Sequence, residues 1–119
     1  MTSTHKVSSE MMDDTPILII EGDMTSESDA DIMKHYRHVR EKYMPKNMII
    51  NFERTNYINS AGIATLINII QDLTDHNGKI AMVGLSNHFQ KVMDIVGITD
   101  FVSVFESDTD AIINIKTNG

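Results

Sequence analysis

Met48-Ile49-Ile50-Asn51-Phe52-Glu53-Arg54-Thr55-Asn56-Tyr57-Ile58-Asn59-Ser60-Ala61-Gly62-Ile63 is the stretch whose reading decides the fold. The opening Met48–Phe52 run is short and nearly all apolar, which suits a strand buried on both faces. From Ile63 onward the period changes. Ile63, Leu66, Ile67, Ile70 and Leu73 recur at the spacing of one helix face, with Asn68, Gln71, Asp72 and Asp75 elsewhere. Ser60 at the junction accordingly reads as the N-cap of that helix, and the free N–H groups of the first turn form a ready site for an anion. A phosphate carried on Ser60 would fit there.

Working outward, the same two periods alternate. Lys6 to Glu10 reads as a first strand, Asp13-Asp14 as an acidic turn, and Ile17-Leu18-Ile19-Ile20 as a second strand closed by Glu21-Gly22-Asp23, so the two form a hairpin. Ser26 and Asp29 match the capping-box spacing, and Ile32, Met33, Tyr36, Val39 and Tyr43 mark a helix that stops before Pro45. Beyond the central helix, Gly78 is the expected stop and Lys79 to Val83 the next strand. Gly84-Leu85-Ser86-Asn87 then leads into a short helix with Phe89, Val92, Met93 and Val96 on one face, closed by Gly97. Phe101 to Phe105 is a last strand, and Asp108 starts a final helix carrying Ala111, Ile112 and Ile115. The predicted order is β-β-α-β-α-β-α-β-α. This is an α/β architecture in which right-handed helical crossovers link parallel strands and the initial hairpin makes the sheet mixed. One domain over residues 1–119 is expected, with frayed ends at 1–5 and 117–119.

Composition narrows the function. The 41% apolar fraction supports a folded core, while seventeen acidic against ten basic residues give a net charge of -7. Lysines and arginines are scattered, with only Lys34, Arg37 and Arg40 in a loose stripe, so neither nucleic acid nor an anionic membrane is an expected partner. There is no cysteine, which removes disulfides, thiolate zinc sites and cysteine nucleophiles. The polar N-terminus lacks the apolar stretch of a signal peptide, and no apolar run approaches the ~20 residues needed to span a bilayer, so a cytoplasmic protein is expected. His35 and His38 have a spacing that places two imidazoles near one metal, but no third ligand converges on them, and a solvated face beside Lys34, Arg37 and Arg40 explains them better. No metal or cofactor is expected.

Enzyme readings fail on motif. The serine turn lacks the preceding glycine of a G-x-S-x-G nucleophile elbow, and neither a Walker A loop nor a G-x-G-x-x-G loop is present. A response-regulator receiver needs an aspartate at the end of its central strand, where this chain has Asn51-Phe52-Glu53.

The element order and the segment Thr55-Asn56-Tyr57-Ile58-Asn59-Ser60-Ala61-Gly62-Ile63 together resemble the STAS family, the anti-sigma factor antagonists and sulfate-transporter-associated domains. Glu21-Gly22-Asp23, Gly78-Lys79 and Val96-Gly97-Ile98 add to that resemblance, which covers almost the whole chain. It implies a non-enzymatic binding module in which Ser60 is phosphorylated by an anti-sigma factor with serine kinase activity and is restored by a serine phosphatase. The unmodified form would bind the anti-sigma factor and free the sigma factor. Asn59, Ala61 and Gly62 would shape the switch turn, and the loop with Asp23, Thr25 and Ser26 would lie beside it and contact the partner. The chain departs from the family pattern in carrying Thr25, Asn51 and Asn59 where acidic residues are common, and Ala61 where a second hydroxyl is common, so Ser60 is the one hydroxyl of the turn.

Plainer readings stand beside these. A serine before a helix is ordinarily a cap and nothing more, and Gly62 can serve simply to let the helix pack close to the sheet. Two other functions fit the same fold: a constitutive STAS adaptor, such as the small subunit of a lipid-transport ABC complex, and a small ligand-binding module with its pocket beside Ser60.

Overall fold

The computed structural model describes residues 4–118. Strands β1 (His5–Met12) and β2 (Thr15–Met24) form the expected antiparallel hairpin, paired from His5 opposite Gly22 to Met12 opposite Thr15. Its turn residues Asp13 and Asp14 have φ of 49° and 66°. A two-residue hairpin loop needs this left-handed pair, and the short polar side chain of aspartate tolerates it. The first strand is longer than Lys6–Glu10 because the hairpin register carries pairing to both ends.

Helix α1 (Asp29–Tyr43) follows, then β3 (Asn47–Asn51), β4 (Thr55–Ile58), α2 (Ser60–Asp75), β5 (Lys79–Val83), α3 (Asn87–Val96), a 3-10 turn at Ile98–Asp100, β6 (Ser103–Phe105) and α4 (Asp108–Asn118). The sheet runs β1-β2-β3-β5-β6, with β2-β3, β3-β5 and β5-β6 parallel. The central strand has the predicted two-faced burial. Met48, Ile50 and Phe52 join Leu18 and Ile20 beneath α1, α2 and Met93 of α3, whereas Ile49 joins Ile17, Ala81 and Val83 beneath Ala111 and Ile112 of α4.

Four local expectations are corrected. Strand β4 was not predicted; β2 is long enough to pair with β3 at Ile17–Ile19 and then, past an irregularity at Gly22/Asp23, with β4 through Asp23–Tyr57 and Met24–Ile58. Only half-buried at its end, β4 has too short an apolar run to signal itself. Ser26 does not cap α1, which starts after Ser28; the Ser28 side chain instead serves the loop before it. Left-handed geometry past α2 falls on Asn77 (φ 64°), not Gly78, whose N–H donates to the Leu73 carbonyl at 2.8 Å. Finally, Phe101 is excluded from the last strand because the 3-10 turn buries Ile98 and leaves Phe101 outside.

The stripe that buries α2 is also rotated from the predicted one. Gly62, Thr65, Leu66, Ile69 and Leu73 face the core, Ile63 and Ile70 are half-buried at its flanks, and Ile67 is exposed. With isoleucines at 63, 67, 69 and 70, apolar spacing alone cannot choose the face. The close approach at Gly62 does. The expectation of frayed ends falls partly outside the described residues; His5 already begins β1, and α4 runs to Asn118.

Candidate functional site: the Ser60 turn

The turn is assembled where β2, β4 and α2 meet. Strand β4 lies against the end of β2, and the backbone continues this pairing one residue further, with the Asn59 N–H donating to the Met24 carbonyl at 3.2 Å. Asn59, in extended backbone at φ -105° and ψ -174°, is the N-cap of α2: its side-chain oxygen accepts the Gly62 N–H at 3.0 Å. This corrects the reading of Ser60 as the cap. Ser60 is the first helical residue, its side chain is exposed, and no described residue hydrogen-bonds its hydroxyl. Asn outcompetes Ser here because the β-region conformation that a cap requires is reached one residue earlier, at the end of β4.

The first turn of α2 contains no acidic side chain. Its helix-closing bonds begin with Gly62 to the Asn59 side chain and Ile63 to the Asn59 carbonyl at 3.0 Å, so the N–H groups of Ser60 and Ala61 keep no described partner. Two donors at the positive end of a helix therefore lie beside a free hydroxyl, an arrangement that stabilises negative charge placed on that hydroxyl. Ala61 adds only a methyl group.

Gly62 has a structural reason. A Cβ there would lie 2.3 Å from the Met24 carbonyl oxygen, so only glycine lets α2 descend onto the end of β2. The same contact puts the loop after Met24 beside the turn. In that loop the Thr25 N–H donates to Ser28 Oγ at 2.9 Å, Ser28 Oγ donates back to the Thr25 carbonyl at 3.1 Å, and Thr25 Oγ1 accepts the Glu27 N–H at 3.2 Å. Asp23 is held by Thr4, whose hydroxyl donates to its carboxylate at 2.7 Å. Ser26 is exposed at the crest. Met24 is the residue that touches the turn, at Asn59 and Gly62, with Asp23 before it and Thr25 and Ser26 after it in the chain.

Asn51 is not. Its amide donates to both carboxylate oxygens of Asp108 at 3.1 and 3.3 Å, and its oxygen accepts the Glu53 N–H at 2.9 Å, so it pins the end of β3 to the start of α4. Sequence reasoning missed Ser28 and Thr65 and read Asp29 only as a capping-box partner. Thr65 Oγ1 donates to Asp29 Oδ1 at 2.5 Å and ties the two helix starts behind the turn. A buried threonine on an otherwise apolar helix face was the available signal. Among the described residues no group of three histidines or carboxylates is placed to hold a metal, and no helix is long and apolar enough to cross a membrane.

The STAS domain family model matches residues 6–111, nearly the whole chain. The chain belongs to the STAS domain family. Solved structures share the fold at low identity. An anti-sigma factor antagonist from Mycobacterium paratuberculosis superposes with a TM-score of 0.83 at 13% identity, covering 94% of each chain. A putative anti-sigma factor antagonist from Thermotoga maritima gives 0.82 at 15% identity over 92% of this chain and 94% of its own. The Bacillus cell fate determinant SpoIIAA, solved in its phosphorylated form, gives 0.72 at 18% identity over 92% of this chain and 99% of its own. The STAS fold of this chain, an N-terminal hairpin followed by alternating strands and helices, is the fold of these proteins.

Proposed function

We propose that this STAS domain is an anti-sigma factor antagonist, a non-enzymatic binding module switched by phosphorylation of Ser60. One observation carries the reading: Asn59 performs the capping, so the exposed Ser60 hydroxyl has no structural task and sits beside two unpartnered N–H groups. A phosphate added there brings roughly -1.5 to -2 charges, which the helix N-terminus tolerates without unfolding. The same charge and its hydration shell would oppose docking of an apolar or acidic partner surface on the turn. Modification would therefore change what binds without changing the fold. The partner of the unmodified form is an anti-sigma factor with serine kinase activity, and a serine phosphatase resets the switch, which places the circuit in the cytoplasm. Likeness to anti-sigma factor antagonists, including one solved in phosphorylated form, supports this reading.

The test is to incubate the protein with ATP, magnesium and an ATP-binding anti-sigma factor from the same genome, and to map phosphate by mass spectrometry. Stoichiometric phosphate on Ser60, with Ser60→Asp losing binding to that anti-sigma factor, is the expected result. No modification, together with unchanged binding by Ser60→Asp, would overturn the switch. That second outcome fits a constitutive STAS adaptor, a reading favoured by the neutral side chains at Thr25 and Asn59 and supported if a transporter ATPase subunit co-purifies with the chain.

A further inference from the structure

The C-terminal half of α2 and the end of α3 leave a groove of about 490 Å³ between them, lined by Ile67, Ile70, Val96, Ile98 and Phe101, with Asp75 on the α2 rim. Its walls are mainly apolar, with Gln71 and Thr74 among the lining residues of α2, and open to solvent. Ile67 is 44% exposed, Val96 47% and Phe101 79%, and the adjacent Ile95 is 84% exposed. Single exposed apolar side chains are ordinary, but a contiguous group marks a surface that is covered in use. The group exists because Gly97, at φ 85°, turns the chain out of α3 so that Ile98 enters the core while Val96 and Phe101 stay on the two sides of the turn.

We propose that this groove docks an amphipathic helix with basic flanks, belonging to a partner protein. Helix α2 forms one wall, and Val96 at the end of α3 with the 3-10 turn after it forms the other; a trough running along one helix suits the apolar stripe of a partner helix presenting residues at i, i+3 or i+4, and i+7. Charge selects the flanks. No lysine or arginine lines the groove and Asp75 stands on one rim, while Asp100 lies in the 3-10 turn beside Gly97 and borders the neighbouring depression; neither carboxylate has an ion-pair partner among the described residues. Lys79 lines the neighbouring depression beyond Phe101 and not the groove. The chain as a whole carries -7, so a second copy would bring like charge against like charge, whereas a basic helix is attracted both to the rim and by the overall field. The surface is separate from the phosphoacceptor turn: Ile67 is two helical turns beyond Ser60, about 10 Å along the axis. Its occupation does not depend on the reading of Ser60.

The experiment selects binders for the full chain from a displayed library of 18-residue helical peptides whose flanking positions are randomised between acidic, neutral and basic residues. The expected result is enrichment of peptides with an apolar stripe and an excess of Lys and Arg. Their amide-shift footprint on the labelled protein should centre on Ile67, Val96 and Phe101. Ile67→Ser and Phe101→Ser should each weaken the selected peptides by about tenfold or more, as loss of a central apolar anchor does. Asp75→Asn should weaken them less, Arg37→Ala on the far helix α1 should leave them unchanged, and added salt should reduce affinity. Both serine variants replace exposed side chains, and an unchanged melting temperature would confirm that they fold. Recovery of no binder, enrichment of acidic peptides, a footprint away from the groove, or a homodimer that Phe101→Ser dissociates would each overturn the proposal.

Discussion

A methyl group at position 62 would sit 2.3 Å from the Met24 carbonyl oxygen, closer than any carbon tolerates against rigid backbone. Gly62→Ala is therefore expected to lift the start of α2 off β2 and to lower stability by about 1–3 kcal/mol, the usual cost of overpacking. Urea unfolding would show this as a lower midpoint with an unchanged slope. The neighbouring Asn59 and Ser60 divide two tasks that their sequence could not apportion. Both residue types cap helices, and only the path of the backbone out of β4 decides that Asn59 occupies the capping conformation and Ser60 the first helical position.

Helix α2 shows the same division across an element. Ile67 and Ile69 are equally apolar and only two residues apart, yet Ile69 is fully buried and Ile67 is 44% exposed. Truncation should separate them: Ile69→Ala is expected to cost about 2–5 kcal/mol and Ile67→Ala under about 1 kcal/mol, measured by thermal or urea unfolding. The outer edge of α2 is tied to α1 through Asp72, which accepts the Tyr36 hydroxyl at 2.6 Å and forms an ion pair with the Arg40 guanidinium at 2.7 Å. Burial, then the hydrogen bond to Asp72, push the Tyr36 phenol well above its ordinary value of 10.0. Because the folded state holds this proton more tightly than the unfolded chain does, its contribution is complete below pH 10.0 and is lost as pH rises beyond it. Stability curves measured from pH 8 to 12 should show that alkaline decline, and Tyr36→Phe should flatten it while lowering stability at neutral pH.

At the scale of the fold, α4 is the only helix among the described residues packed on the second face of the sheet, and Asn51 is its polar anchor to β3. The family pattern often has an acidic residue at this place, but here the partner is itself a carboxylate. Asn51→Asp would set two negative groups about 3 Å apart and remove both donated bonds, so it is expected to destabilise the chain by about 1–3 kcal/mol at neutral pH. Asp108→Asn in the same chain should restore most of the loss, because the donor and acceptor are then exchanged across the same contact. A double-mutant cycle would measure that coupling. The charge difference at position 51 is thus accommodated by α4 and not by the Ser60 turn.

The alternation of periods two and 3.6 was sufficient for the architecture, since a two-faced apolar run such as Met48–Phe52 has no stable place except inside a parallel sheet covered on both sides. It also located the turn at residues 59–62, where strand pattern gives way to helix pattern. Three outcomes required the tertiary structure: the existence of β4, the face that α2 buries, and the division of labour between Asn59 and Ser60. Each depends on a contact between residues far apart in the chain, such as Met24 with Gly62 or Gly22 with Thr55. Local sequence sets which residues can cap, pair or pack. Only the backbone of a distant strand settles which of several capable residues does so.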